Sequence, residues 1–208
     1  NWADISLEIR DLRSVKSCFE ISCINESAKL LDKVFDKIPS WLKPGMTELE
    51  LASIVEGFLR SEGHQGSLPS RGMSGSIHYG NILFGKNGAV RGAFDGPTCG
   101  PGLYNAVPKG AGWGELKPFQ PVFIDLVAGM YGYLADATRV YSIGSLPDNL
   151  LEAHRHCLEI QKRVVDGISL GLNGRDLHQS GLEYVKAKGL SEYFMGPGDD
   201  QAKFIAHG

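Results

Sequence analysis

The sequence has no C-x-x-C pair and no metal-finger spacing. Its four cysteines, Cys18, Cys23, Cys99 and Cys157, are scattered, which argues against a structural zinc site and for reduced thiols. No apolar run approaches the roughly 18 residues that span a bilayer, and no basic, signal-like block opens the chain. There is no lysine and arginine stripe, and the formal net charge is -3, so nucleic acid is not an expected partner. The glycine-rich stretch from Gly72 to Gly114 lacks both G-x-x-x-x-G-K-[ST] and G-x-G-x-x-G between a strand and a helix, which excludes a phosphate-cradling reading. These absences leave a soluble, cytoplasmic protein that needs no membrane. Its 208 residues, 42% hydrophobic, suffice for one globular domain with a core, or two small ones.

Four helical segments stand out from what is present. Residues 17 to 38 place Ile24, Ala28, Leu31, Val34, Phe35 and Ile38 at helical spacing. After the turn "KPGM", Thr47 and Glu50 form a capping-box pair opening a second helix with Leu51, Ile54, Val55 and Phe58 inward, ending at Gly63. A third helix runs from about Asp148 to Ile168, with Leu151, His154, Leu158, Val164 and Val165 as its expected inner face. His154 and His156 are two residues apart and so point to different sides of it, which keeps them from sharing a metal. A fourth follows "GLNG" and stops at Gly189. Between the helix pairs, Gly72 to Gly114 reads as irregular loop with short strands, and "FIAHG" at the end reads as a strand.

The second pair of helices repeats the first. Residues 42 to 63 laid over 168 to 189 match Gly45 with Gly171, Thr47 with Asn173, Leu51 with Leu177, Phe58 with Tyr184 and Gly63 with Gly189, at a constant offset of 126 residues. Turn, N-cap class, inner face and terminal glycine all recur. This predicts an α+β fold of two pseudo-symmetric helix-helix-strand halves.

The stretch "VFIDLVAGMYGYLADATRVYSIG", Val122 to Gly144, reads as a hairpin carrying Asp125 and Asp136 among apolar neighbours. A two-residue loop at Met130 and Tyr131 puts the two acids directly opposite each other, and a loop at Gly129 and Met130 makes them diagonal neighbours on one face. A three-residue loop without a bulge separates them. Opposed carboxylates about 4.5–5.5 Å apart at Cβ repel, so a positive partner is needed. One candidate is a surface pair of Asp136 with Arg139. A hard divalent cation suits the apolar setting better, since carboxylate oxygens favour manganese, magnesium, or a carboxylate-rich zinc or cobalt site.

The same stretch closely resembles the D-x-G-x-x-x-x-G-Y-x-x-D-x-T-R segment of the M24 metallopeptidases. These are the pita-bread (creatinase/aminopeptidase) fold, which includes methionine aminopeptidase, aminopeptidase P, prolidase and creatinase. "LKPGMTELEL" and "FIAHG" resemble that family too, and "FDGPTCGPGLYNAVPKGAG" looks most like bacterial Xaa-Pro peptidase or prolidase relatives. The likeness runs from about Ser14 to the end. It implies a dinuclear site of two divalent ions, manganese, cobalt or zinc, held by two aspartates, a histidine and two glutamates. Asp125 and Asp136 match the aspartates and His207 the histidine. The family's glutamates belong downstream of His207, where only Gly208 follows. Its substrate-side histidine is expected near Pro108, and His78 is the candidate catalytic substitute. The expected layout is a linker over residues 1–13 from a missing N-terminal domain, then a catalytic domain over 14–208 lacking its C-terminal part.

By resemblance, the expected activity is metal-dependent hydrolysis of the N-terminal bond of small peptides, Xaa-Pro substrates above all, through a hydroxide bridging the two metals. The fragment by itself is expected to be inactive. A homodimer is the family's usual assembly. Two other readings are a non-catalytic peptide- or protein-binding pita-bread domain, and a creatinase-like C–N hydrolase.

Overall fold

A computed structural model describes residues 3–68, 78–91, 97–196 and 201–205. Helix α1, Ser6–Ser14, occupies the stretch read as a linker and has no buried residue. Helix α2 spans Cys18–Trp41 and α3 Glu48–Ser61. Strand β1, Gly80–Phe84, leads into a 3-10 turn at Gly85–Ala89; β2, Val122–Met130, and β3, Tyr133–Tyr141, follow. Helices α4, Asp148–Gly167, and α5, Gly174–Ala187, precede a second 3-10 turn at Ser191–Tyr193. The three strands form one sheet in the order β1-β2-β3. Residues 201–205 carry no strand, which corrects the reading of the "FIAHG" run in its described part.

The 126-residue repeat is visible in the elements. Both ends of α5 lie 126 residues after those of α3, and α4 ends 126 residues after α2. The punctuation recurs as well. Gly45 and Gly171 both have φ above +80°, Gly63 and Gly189 also lie at positive φ, and each capping residue works. The Thr47 Oγ1 accepts from the Glu50 amide at 3.1 Å, and the Asn173 side chain accepts from the Arg175 amide.

The chain divides into two compact units. The first comprises 1–41, 53–80 and 125–139. There α2 buries Cys23, Ser27, Leu30, Leu31, Val34, Phe35 and Ile38, a stripe at the i, i+3, i+4 spacing of an amphipathic helix. Each aliphatic side chain so placed stabilises by roughly 1.5–3 kcal/mol. On α3, Leu51, Ala52, Val55 and Leu59 are buried, while Ile54 is exposed and Phe58 half-buried. The inner stripe is thus rotated toward Leu59 from the predicted one.

The second unit comprises 42–52, 81–124 and 140–208. Its helical part packs Ile160, Val185 and Phe194 with Val164, Leu182, Tyr184 and Ile205. The predicted face of α4 is therefore corrected: Ile160 is its buried residue, whereas His154, Leu158 and Val165 are exposed. His156 instead meets Tyr184, ring nitrogen to phenol oxygen at 2.8 Å. All four cysteines are thiols, Cys23 and Cys99 buried and Cys18 and Cys157 exposed.

Candidate metal centre

The site is built on the β2-β3 hairpin. β2 ends at Met130 and β3 starts at Tyr133, and the two residues between them, Tyr131 (φ 56°) and Gly132 (φ 82°), are both left-handed. That is the type I′ hairpin turn, whose twist matches that of the strands. Met130 therefore faces Tyr133, and counting along the ladder Asp125 faces Thr138. Asp136 is its diagonal neighbour on the same face. The acids are not directly opposed, because the loop sits one residue later than the opposed register requires.

Ser27 of α2 holds this turn. Its hydroxyl accepts from the Met130 amide at 3.0 Å and donates to the Tyr133 carbonyl at 2.8 Å. The adjacent Gln65 receives the Gly132 amide on its side chain, and its own amide donates to the Gly129 carbonyl. The Tyr133 phenol donates to Glu20, whose carboxyl is held below its ordinary value chiefly by the Ser17 amide.

Across the hairpin, the Thr138 hydroxyl donates to Asp125 Oδ1 at 2.5 Å. Asp125 is half-buried and Asp136 exposed. Arg139, the cation that a surface pair with Asp136 would use, sits on the alternate side of β3. Its Nη1 donates to the Thr138 carbonyl, and its guanidinium lies over the Phe35 ring, 5.0 Å from the centroid. On the other edge of β2, the Val127 amide donates to the Tyr79 carbonyl. Gly80 comes so close that a Cβ there would stand 1.8 Å from the Asp125 carbonyl oxygen, at a φ of 141°. Only glycine fits.

Two carboxylates on one sheet face, one already oriented by a hydroxyl, are the donor chemistry of a hard divalent cation. Among the described residues no group of three or more histidine, cysteine, aspartate or glutamate side chains could hold a metal ion. His207 lies outside the described residues. His78 is exposed and directly precedes Tyr79; Pro108 accepts the Cys99 thiol on its carbonyl.

Two titratable residues escaped the sequence reading. Glu48, fully buried, accepts from the Phe84 amide at 2.6 Å, the Asn87 side chain at 2.9 Å and the Gly112 amide at 2.9 Å. A signal for it existed, since Glu48 shares the stripe of Leu51, Ala52, Val55 and Leu59. Its place just after the capping Thr47 gave it an ordinary role as a first-turn acid. His64, also buried, follows the helix-ending Gly63 and carries no pattern of its own.

The model of metallopeptidase family M24 matches residues 22–208. The uncharacterized peptidase YqhT of Bacillus subtilis is 27% identical over 191 residues, covering 91% of this chain and 47% of that protein. The X-Pro aminopeptidase from Thermotoga maritima superposes with a TM-score of 0.73 at 26% identity, over 90% of this chain and 46% of its own. The prolidase from Pyrococcus furiosus does so with a TM-score of 0.75 at 24% identity, over 93% and 50%. The fold is thus the pita-bread fold. The chain spans about half the length of the curated relatives it matches.

Proposed function

Because the chain belongs to metallopeptidase family M24, we propose that its protein is a metal-dependent peptidase cleaving the N-terminal bond of small peptides, with Xaa-Pro substrates favoured. Residues 14–208 are its share of the catalytic domain. The observation that carries the reading is the placing of Asp125 and Asp136 on one face of the hairpin, with Thr138 donating to Asp125. The family implies divalent metal; the proposed complement is two ions, manganese, cobalt or zinc, on Asp125, Asp136 and His207 with further ligands downstream. A bound divalent ion supplies Lewis acidity toward a scissile carbonyl and makes water nucleophilic near neutral pH.

The chain's own contribution is orientation. Thr138 occupies one lone pair of Asp125 Oδ1 and so sets which way the carboxylate turns, a task in which outer partners matter about 10–100-fold to metal affinity. The Ser27 clamp holds the I′ register, without which one acid would change face. His78 is proposed to act on the substrate side. The Xaa-Pro preference is supported by the X-Pro aminopeptidase of Thermotoga maritima at 26% identity.

The test is a panel of Xaa-Pro and non-proline dipeptides with manganese, cobalt and zinc, on the complete protein and its Asp136→Ala variant. Metal-dependent release of the first residue that vanishes in the variant supports the reading. Unchanged turnover in the variant sinks the metal assignment, and metal binding without cleavage of any peptide favours the non-catalytic binding reading.

A further inference from the structure

His64 is 1% exposed and belongs to none of the groups assigned above. Its Nδ1 accepts the Gly66 amide at 2.9 Å. An amide can donate only to an unprotonated nitrogen, so the proton of the neutral ring is on Nε2, and that nitrogen faces the Val127 carbonyl of β2 at 3.3 Å. The ring also packs on Tyr79, centroids 4.5 Å apart, and the Tyr79 carbonyl takes the next bond from β2, the Val127 amide. One neutral imidazole thereby joins the 63–66 turn, the approach to β1 and the middle of β2.

We propose that His64 is an acid-sensitive latch: neutral, it ties the 63–66 turn to β2; protonated, it drives the Gly66 amide off and unties them. Protonation puts an N–H on Nδ1 against the Gly66 N–H, donor against donor, on a ring that is itself buried from solvent. Among the described residues, three groups face the ring or act on it. From α3 comes the Arg60 guanidinium, whose donor already bonds the His64 carbonyl. The Tyr79 segment offers a neutral phenol ring, and β2 offers the Val127 carbonyl. Among the described residues the charge acting on the ring is that of Arg60, and it opposes a second cation. Burial, with Arg60 adding to it, holds the ring below the ordinary histidine range, while the Val127 carbonyl pulls the other way.

A histidine depressed in the folded state leaves stability intact above its unfolded value of about 6.5 and removes it as pH falls from there toward the folded value. The test is a proton NMR titration of the His64 ring in the full chain, read with the Gly66 amide. The expected result is a midpoint below about 6.5 and a Gly66 amide that shifts with it. A midpoint at or above that value, or a Gly66 amide that ignores the titration, overturns the latch. The second arm is the melting temperature of wild type and His64→Asn from pH 7 to 5. Asn keeps an acceptor for Gly66 but does not titrate. Wild type should lose roughly 3 °C per pH unit below 6.5 beyond whatever His64→Asn loses, and equal losses overturn the proposal. Should His64→Asn fail to fold, the titration decides alone. Neither readout depends on metal or activity.

Discussion

Glu48 and the pair Asp125 and Asp136 are carboxylates with apolar sequence neighbours that the fold places very differently. Glu48 is fully buried and takes two backbone amides and the Asn87 side chain. With its oxygens committed, it joins the start of α3 to β1 and to the loop at Gly112, whose own carbonyl receives the Leu49 amide. Asp125 and Asp136 are half-buried and exposed, with Thr138 donating to the first. The difference teaches that burial among backbone donors makes an acid structural. A less buried acid on a sheet face, with a hydroxyl donating to it as Thr138 does to Asp125, has the donor chemistry that the proposed metal role requires.

The largest expected effect breaks the comparison from the open side. Asp136→Ala should lower metal-dependent peptide cleavage by the complete protein by at least about a thousand-fold, about 4 kcal/mol in the barrier, while its melting temperature stays within a few degrees. A fold that collapses instead would make Asp136 structural, as Glu48 is. Glu48→Ala is the converse. It strands two buried amides and should cost about 3 kcal/mol of stability in chemical denaturation, with Glu48→Gln losing less because one oxygen still accepts. A change in metal affinity without a loss of stability would contradict that role.

Thr138→Val should weaken divalent-ion binding about 10-fold or more by calorimetry, and Thr138→Ser should restore most of it. If Val binds as well as Thr, the hydroxyl orients nothing. The smallest effect concerns Glu50, an exposed acid whose carboxyl the Thr47 amide, and then its hydroxyl, hold below the ordinary value. Its contribution is present above the unfolded value of about 4.5 and lost as pH falls through the lower folded one. Glu50→Gln should therefore flatten the acid limb of a melting-temperature profile below pH 4.5; an unchanged limb would remove the capping box from the account.

Much of the fold was legible because its signals are local. Thr47 with Glu50, Asn173, and the glycines at 45, 63, 171 and 189 act within a turn of the helices they bound, so helix ends and repeat follow from short-range hydrogen bonds and positive-φ punctuation. Helix faces were read less well. Leu59 and Ile160 are buried where Ile54, Leu158 and Val165 had been expected, because several apolar residues lie on each helix and the neighbours select which are covered.

The two acids show the same boundary. Their types and their separation along the chain were set by the sequence, and since strands alternate sides with a fixed period, a two-residue loop puts both on one face. Which residue faces Asp125 was decided by tertiary structure. Tyr131 must hold a left-handed φ for the loop to close at Tyr131 and Gly132, and the Ser27 hydroxyl pins that turn from 106 residues away at the Tyr133 carbonyl. No local pattern encodes a bond of that span, nor the burial of His64, and the stripe that Glu48 shares does not by itself tell a buried acid from a first-turn one. Such contacts exist only once distant backbone donors and acceptors have been brought together and water removed from between them.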